Sequence, residues 1–162
     1  MRNLSLIAVA LMGWALTSCG NLRDIRVEEI RKGSVSLQPQ SSGKMQLSMD
    51  ARISNPSRRT VTVTQLDFKL RFNGATIAVV SSPNPLRIAK RSNDFQPILL
   101  DVQLQNLLLL LGLRKDNMDK LVVSGTLKAK VGLLRKTIDI DEQPASALVP
   151  QVENVIAPLF KK

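Results

Sequence analysis

Much of the chain is written in twos. Met45, Leu47, Met49, Ala51 and Ile53 alternate with Gln46, Ser48, Asp50, Arg52 and Ser54, and Asn55-Pro56 ends the run. A period of two over about ten residues is the pattern of a strand with one face in a core and the other in water. Val61 and Val63 lead into Leu66, Phe68, Leu70 and Phe72, with Gln65, Asp67, Lys69 and Arg71 between them. Asn73-Gly74 follows at once and predicts a tight hairpin, because both residues tolerate positive φ. Ala75 to Val80 is then the return strand, and the two prolines of Ser81–Pro85 end it.

The remaining segments are shorter. Ile25, Val27 and Ile30, then Val35 and Leu37, predict a first strand broken around Lys32-Gly33, and Pro39 to Lys44 is loop chemistry. Leu86 to Ala89 is a brief edge-like segment. Ile98, Leu100, Val102 and Leu104 alternate with Leu99, Asp101, Gln103 and Gln105. Asn106 is placed to cap a short helix over Leu107 to Leu111, closed by Gly112. Leu121, Val123, Leu127, Ala129 and Val131 form another strand with Gly125 as a bulge, and Leu133-Leu134 with Ile138-Ile140 make the last. There is no βαβ alternation and no fixed repeat. The expected fold is all-β: an immunoglobulin- or fibronectin-III-like sandwich of seven to eight strands over residues 25–142, with one short helix. From 143 to 162, Val152, Val155, Ile156 and Leu159 predict an amphipathic helical tail that Pro158 shortens or kinks.

The N-terminus follows a different rule. Arg2 precedes an almost wholly apolar stretch from Leu4 to Leu16, then Thr17-Ser18-Cys19-Gly20. These are the parts of a secretory signal over residues 1–18, and the apolar run is short of the roughly twenty residues that span a membrane. Leu16-Thr17-Ser18-Cys19 resembles the bacterial lipobox. That resemblance implies removal of the signal ahead of Cys19, acylation of its thiol and amine, and a short tether from 19 to 24. Two or three acyl chains, at roughly 0.8 kcal/mol per buried methylene, hold a protein stably on a bilayer. Gly20 stands where an inner-membrane retention signal would have Asp, so the implied address is the outer membrane of a bacterial envelope.

Composition removes several classes of function. The 162 residues contain no His, no Tyr and one Cys. Imidazole-based nucleophile systems, imidazole zinc sites and internal disulfides are therefore excluded. No Gly-rich phosphate loop and no Gly-x-Ser-x-Gly spacing occurs. No catalytic residue, metal site or cofactor is expected beyond the covalent lipid on Cys19. Asp139, Asp141 and Glu142 lack the spacing of a calcium loop and are expected to form a solvated edge pairing with Arg135 and Lys136.

Charge adds the main functional hint. The net charge of +10 becomes +9 without Arg2. Basic pairs recur at Arg58-Arg59, Lys90-Arg91, Arg114-Lys115, Arg135-Lys136 and Lys161-Lys162, each beside a predicted turn or end. The first three are candidate contacts for anionic lipid headgroups, at roughly 1 kcal/mol per well-placed basic side chain. The alternative is a solvated basic surface that keeps sheet edges apart. Nucleic acid is not expected as a partner, since export removes access and aromatic platforms are missing. Leu107 to Leu111 is expected to plug one end of the sandwich, or else to form an exposed apolar mouth.

From Ile25 to about Asp141 the chain resembles the WHy (water stress and hypersensitive response) domain, shared by the second subgroup of late-embryogenesis-abundant proteins and bacterial desiccation-related relatives. The strand closing on Asn55-Pro56 carries the resemblance, with the long strand to Phe72 and the Asn73-Gly74 hairpin. The family often has a third polar or aromatic residue after Asn-Pro, where this chain has Ser57. The resemblance implies a fibronectin-like sandwich and a protective role in stress, without catalytic residues. Two functions are carried forward: a lipid-anchored envelope protein touching anionic membrane, and an adaptor that binds an envelope protein through its tail or a free sheet edge.

Overall fold

Residues 25–41, 43–112, 117 and 120–144 are described by the structure, a computed structural model. They form β1 (Arg26–Ile30), β2 (Ser36–Pro39), β3 (Met45–Asn55), β4 (Val61–Phe72), β5 (Ala75–Ser81), β6 (Leu86–Ile88), β7 (Ser92–Leu104), α1 (Leu107–Leu111), β8 (Leu121–Val131) and β9 (Leu134–Pro144). The architecture is all-β, as the alternation requires. Nine strands exceed the expected seven to eight. The break at Lys32-Gly33 yields two separate strands, and the short segment Leu86–Ile88 is bonded to β4. The expected signal over residues 1–18, Cys19, the expected tether, Arg114-Lys115 and the expected tail lie outside the described residues, except that Gln143 and Pro144, expected in the tail, end β9.

Both layers belong to one curled antiparallel sheet, ordered β1-β3-β7-β5-β4-β8-β9. β7 joins its two wings. From Ser92 to Val102 it pairs with β3, and from Asp101 to Leu104 it pairs with β5. Each wing has the same plan: β1 and β2 share one side of β3, while β5 and β6 share one side of β4. One core serves both wings, with Leu47, Met49, Ile53 and Leu100 from one and Phe68, Leu70, Ile77 and Leu127 from the other.

Local chemistry explains the irregular points. The apolar parity of β4 changes between Val63 and Leu66, and its register against β8 slips between Val63 and Gln65 to absorb the change. Gly125 lies opposite Phe68, and a bulge in the β8–β9 ladder falls between Val123 and Gly125. The Asn73-Gly74 hairpin has φ of 50° and 80°, the double positive φ its residues predict. β7 begins at Ser92, ahead of the alternation that starts at Ile98 and of Phe95, where the WHy resemblance starts this strand. Pro97 is tolerated there because that part of β7 has a strand neighbour on one side only. Leu133 leaves the last strand for a turn: Val131 pairs with Leu134, and Gly132 has φ +62°.

The capped helix forms as expected but does not plug the sandwich. Asn106 Oδ1 accepts from the Leu109 N–H at 3.1 Å. Leu109 packs on the core, while Leu107, Leu108 and Leu111 are exposed. A helix of five residues turns only one face inward, so leucine on every side leaves these three in water. Among the described residues, no helix is long and apolar enough to cross a membrane.

Candidate functional site

The end of the sandwich where β3 stops is tied by one buried side chain. Asn55 is the buried polar residue of the described core. Its Nδ2 donates to the carbonyls of Arg59 at 2.9 Å and Ala89 at 3.0 Å. Its Oδ1 accepts from the Ser57 N–H at 3.1 Å and the Ser57 hydroxyl at 2.6 Å. Two protons meet two carbonyls and the oxygen meets two donors, so the buried amide is satisfied. The knot pulls the β3–β4 loop against the β6–β7 loop. The Arg91 N–H donates to the Ser57 carbonyl at 3.0 Å, and the Lys90 N–H to Thr60 Oγ1 at 3.3 Å. Arg91 itself holds a φ of 49°, unusual for a residue with a side chain.

Two of the three candidate basic pairs therefore meet. Arg58 and Arg59 occupy one tied loop, Lys90 and Arg91 the other, and all four are exposed. The neighbouring strands add to this pole. Val61 lies opposite both Ile88 and Val131, so the Gly132–Leu133 turn sits beside the same loops. Thr62 is flanked by Arg87 and Lys130, and Arg135 lies across from Lys130. The segments 56–60, 89–91 and 132–135 contain five Arg or Lys residues and no acid. The chain also enters the domain here, since Arg26 pairs with Ser54 and the buried Ile25 comes level with Asn55.

The third pair is not placed with these loops. Arg114 and Lys115 are outside the described residues, in the connection from α1 to β8. That connection rejoins the sheet where Leu121 pairs with Phe72, beside the Asn73-Gly74 hairpin at the opposite pole. Asn73 and Gly74 thus stand far along the sheet from Asn55 and Pro56, and their part is to close β4 onto β5.

The acidic edge pairs differently from expectation. Glu142 forms an ion pair with Arg71, two strands away, and Asp139 Oδ1 accepts from Thr126 Oγ1 at 3.1 Å. None of the ion pairs among the described residues joins these acids to Arg135 or Lys136, because on β9 those bases lie toward the other end of the strand. No group of three potential metal-ligating side chains occurs among the described residues. Ser41 and Lys44 have Ser-x-x-Lys spacing, but they belong to a surface turn closed by a 2.8 Å bond from the Gln40 N–H to the Lys44 carbonyl. A shallow groove opens where the wings part, lined by Val63, Leu66, Pro85, Leu86, Pro97 and Ile98 among others. Its lining offers no acid, base or nucleophile set.

A family model for late embryogenesis abundant proteins, LEA_2, matches residues 50–143. The chain belongs to the LEA_2 family. The match starts within β3 and ends within β9, so it takes in the Asn55 knot, both tied loops and the Gly132–Leu133 turn of this LEA_2 protein. No curated protein matches the sequence. Among solved structures, the LEA_2 chain is similar to a protein from Archaeoglobus fulgidus, with 14% identity over 72% of this chain and 94% of that one, at a TM-score of 0.46. A Northeast Structural Genomics Consortium target shares 16% identity over 74% of this chain and 84% of its own, at a TM-score of 0.36. A β-glucuronidase of glycoside hydrolase family 2 shares 13% identity over 65% of this chain and 10% of its own length, at a TM-score of 0.31.

Reasoning from the sequence of this LEA_2 protein missed the bonds that tie the two loops. Ala89, which accepts from Asn55, and Thr60, which accepts from the Lys90 N–H, carry no local signal, since their roles depend on two loops about thirty residues apart lying side by side. Leu133 did have a signal: Gly-Leu-Leu-Arg-Lys places two apolar residues directly between a turn and two charges.

Proposed function

We propose that this LEA_2 protein is a lipid-anchored bacterial envelope protein of the WHy type, acting by binding rather than by catalysis. Cys19 would carry the acyl chains, and Arg58, Arg59, Lys90 and Arg91 would rest on anionic headgroups. The physiological role would be protection of the envelope under water stress, with the anchor in the outer membrane. One observation supports this above the rest: the tied basic loops share a pole with the point where the chain enters the domain. Cys19 is six positions before Ile25, a length of chain that spans at most about 20 Å when extended. An anchor on that tether would hold the basic pole, and not the opposite one, against the bilayer. Concentrating cations on the pole nearest the surface matters because the field of anionic lipid fades within a Debye length, about 8 Å at physiological salt.

The test is sedimentation of the chain from Gly20 onward, which retains every residue of the buried core, with neutral and anionic vesicles across a salt series. Binding only to anionic vesicles, fading as salt rises, is the expected result. No binding at low salt would remove the headgroup contact and favour the adaptor. A specific feature speaks for that second reading: Leu107, Leu108 and Leu111 are exposed at the pole where the chain continues beyond Pro144. Deleting 145–162 would abolish capture of an envelope protein by an adaptor and leave headgroup binding nearly unchanged.

A further inference from the structure

The β8–β9 hairpin ends in hydrophobic side chains. Leu133 is 95% exposed and Leu134 64%. Gly132 takes φ +62° as the first central residue of the two-residue turn, a placement that stands Leu133 clear of the sheet at the tip. Behind the tip comes a basic collar, with Lys130 across from Arg135, and Lys136 next along β9. Single exposed leucines are ordinary on protein surfaces. Two adjacent ones at a projecting turn, backed by three cations and beside two further basic loops, have the layout of a segment that enters a lipid interface. Apolar tips lower their free energy among acyl chains, while Lys and Arg stems reach back to the phosphates.

We infer that Leu133 and Leu134 insert into the acyl boundary of an anionic bilayer, with Lys130, Arg135 and Lys136 at the headgroups. This rests on the membrane contact proposed above and extends it from electrostatic contact to insertion. A lipid surface is the occupant chosen because the collar is complementary in charge to anionic headgroups. In addition, the short stretch from Cys19 joins the domain at this pole, where Arg26 pairs with Ser54. Insertion fixes an orientation as well. The Asn55 pole faces the membrane, and the pole bearing α1 faces away.

The one Trp, Trp14, lies in the expected signal and there is no Tyr, so the chain from Gly20 onward is free of indole. That chain carrying L133W is mixed with vesicles of phosphatidylcholine with or without phosphatidylglycerol, some with acyl-brominated lipid. A second such chain carrying L108W places the indole on α1 at the opposite pole. The expected result is blue-shifted emission and strong quenching by brominated lipid for L133W in the anionic vesicles, with L108W unquenched. Emission from L133W that stays at the water-exposed wavelength and unquenched overturns the inference. So does quenching of L108W equal to or greater than that of L133W. If L133W is unquenched while salt-sensitive sedimentation of the unaltered domain persists, insertion fails and headgroup contact stands. If neither is seen, both fail.

Discussion

Asn55 Nδ2 stands 3.0 Å from the carbonyl oxygen of Ala89, a residue 34 positions further along the chain, and this bond joins the loops that carry the two basic pairs. Replacement by Ala removes four bonds and leaves the Ser57 N–H without its acceptor, while the carbonyls of Arg59 and Ala89 keep donors in Ser57 Oγ at 3.0 Å and Ser92 Oγ at 2.6 Å. Buried groups without partners cost roughly 1–3 kcal/mol each, softened where water enters. N55A is therefore expected to lose roughly 1–3 kcal/mol in urea unfolding. S57A should lose about 1 kcal/mol, because the bond from Arg91 N–H to the Ser57 carbonyl survives. Equal stability of N55A and the unaltered protein would show that the knot is ornamental.

Gly125 and Gly132 lie in the same hairpin and should respond to Ala to very different degrees. A Cβ on Gly125 would fall 2.2 Å from the Asp67 carbonyl oxygen and 2.5 Å from Phe68 Cδ1. Backbone cannot yield as a flexible side-chain end would, so G125A should lose more than about 3 kcal/mol or fail to accumulate, consistent with the upper range for overpacking. A Cβ on Gly132 would meet nothing within 4 Å, and only the φ of +62° opposes a side chain there. G132A should cost roughly 1–2 kcal/mol, the penalty of the left-handed region. Thermal melts of both variants rank them, and an order with G132A the worse would contradict the close approach to Phe68.

These two glycines mark the boundary of what a linear reading reaches. The bulge at Gly125, the Asn73-Gly74 hairpin and the capped α1 are local events, each set by a few adjacent residues, and all were legible. So was the alternation of β3, whose Leu47, Met49, Ala51 and Ile53 are all buried. The start of β7 was not, because Ser92 to Asp94 carries no apolar residue and is held by its eleven-residue partner β3. Nor was the β5–β7 link, since Val80 facing Val102 is a pairing of segments with no shared local signal. At the candidate site the basic pairs were visible one at a time. Which two share a pole depends on the sheet order and on Asn55.

Calcium should leave this protein unmoved. Of the three acids near the end of β9, Glu142 is paired with Arg71 and Asp139 is held by Thr126. The exposed Arg71–Glu142 pair is worth at most about 1 kcal/mol, so R71A should lower stability by less than that. Millimolar calcium is expected to leave the melting temperature unchanged in both proteins. A rise that grows with the logarithm of calcium concentration would reveal binding to the folded state.

Charge reversal separates a basic pole from mere basic composition. Lys44 and Lys120 lie toward the opposite pole, near Met45 and Leu121, while Arg58 and Arg59 lie in the tied loop. At roughly 1 kcal/mol per well-placed cation, losing two weakens binding to anionic vesicles about 25-fold, and reversal adds repulsion. R58E/R59E is therefore expected to reduce vesicle binding at low salt by at least that factor. K44E/K120E changes net charge by the same amount and should reduce binding only a few-fold, since charges more than a Debye length from the surface are screened. Raising salt should close the gap between the two variants. Equal losses in both at low salt would mean that overall charge, with no preferred face, brings the protein to the membrane.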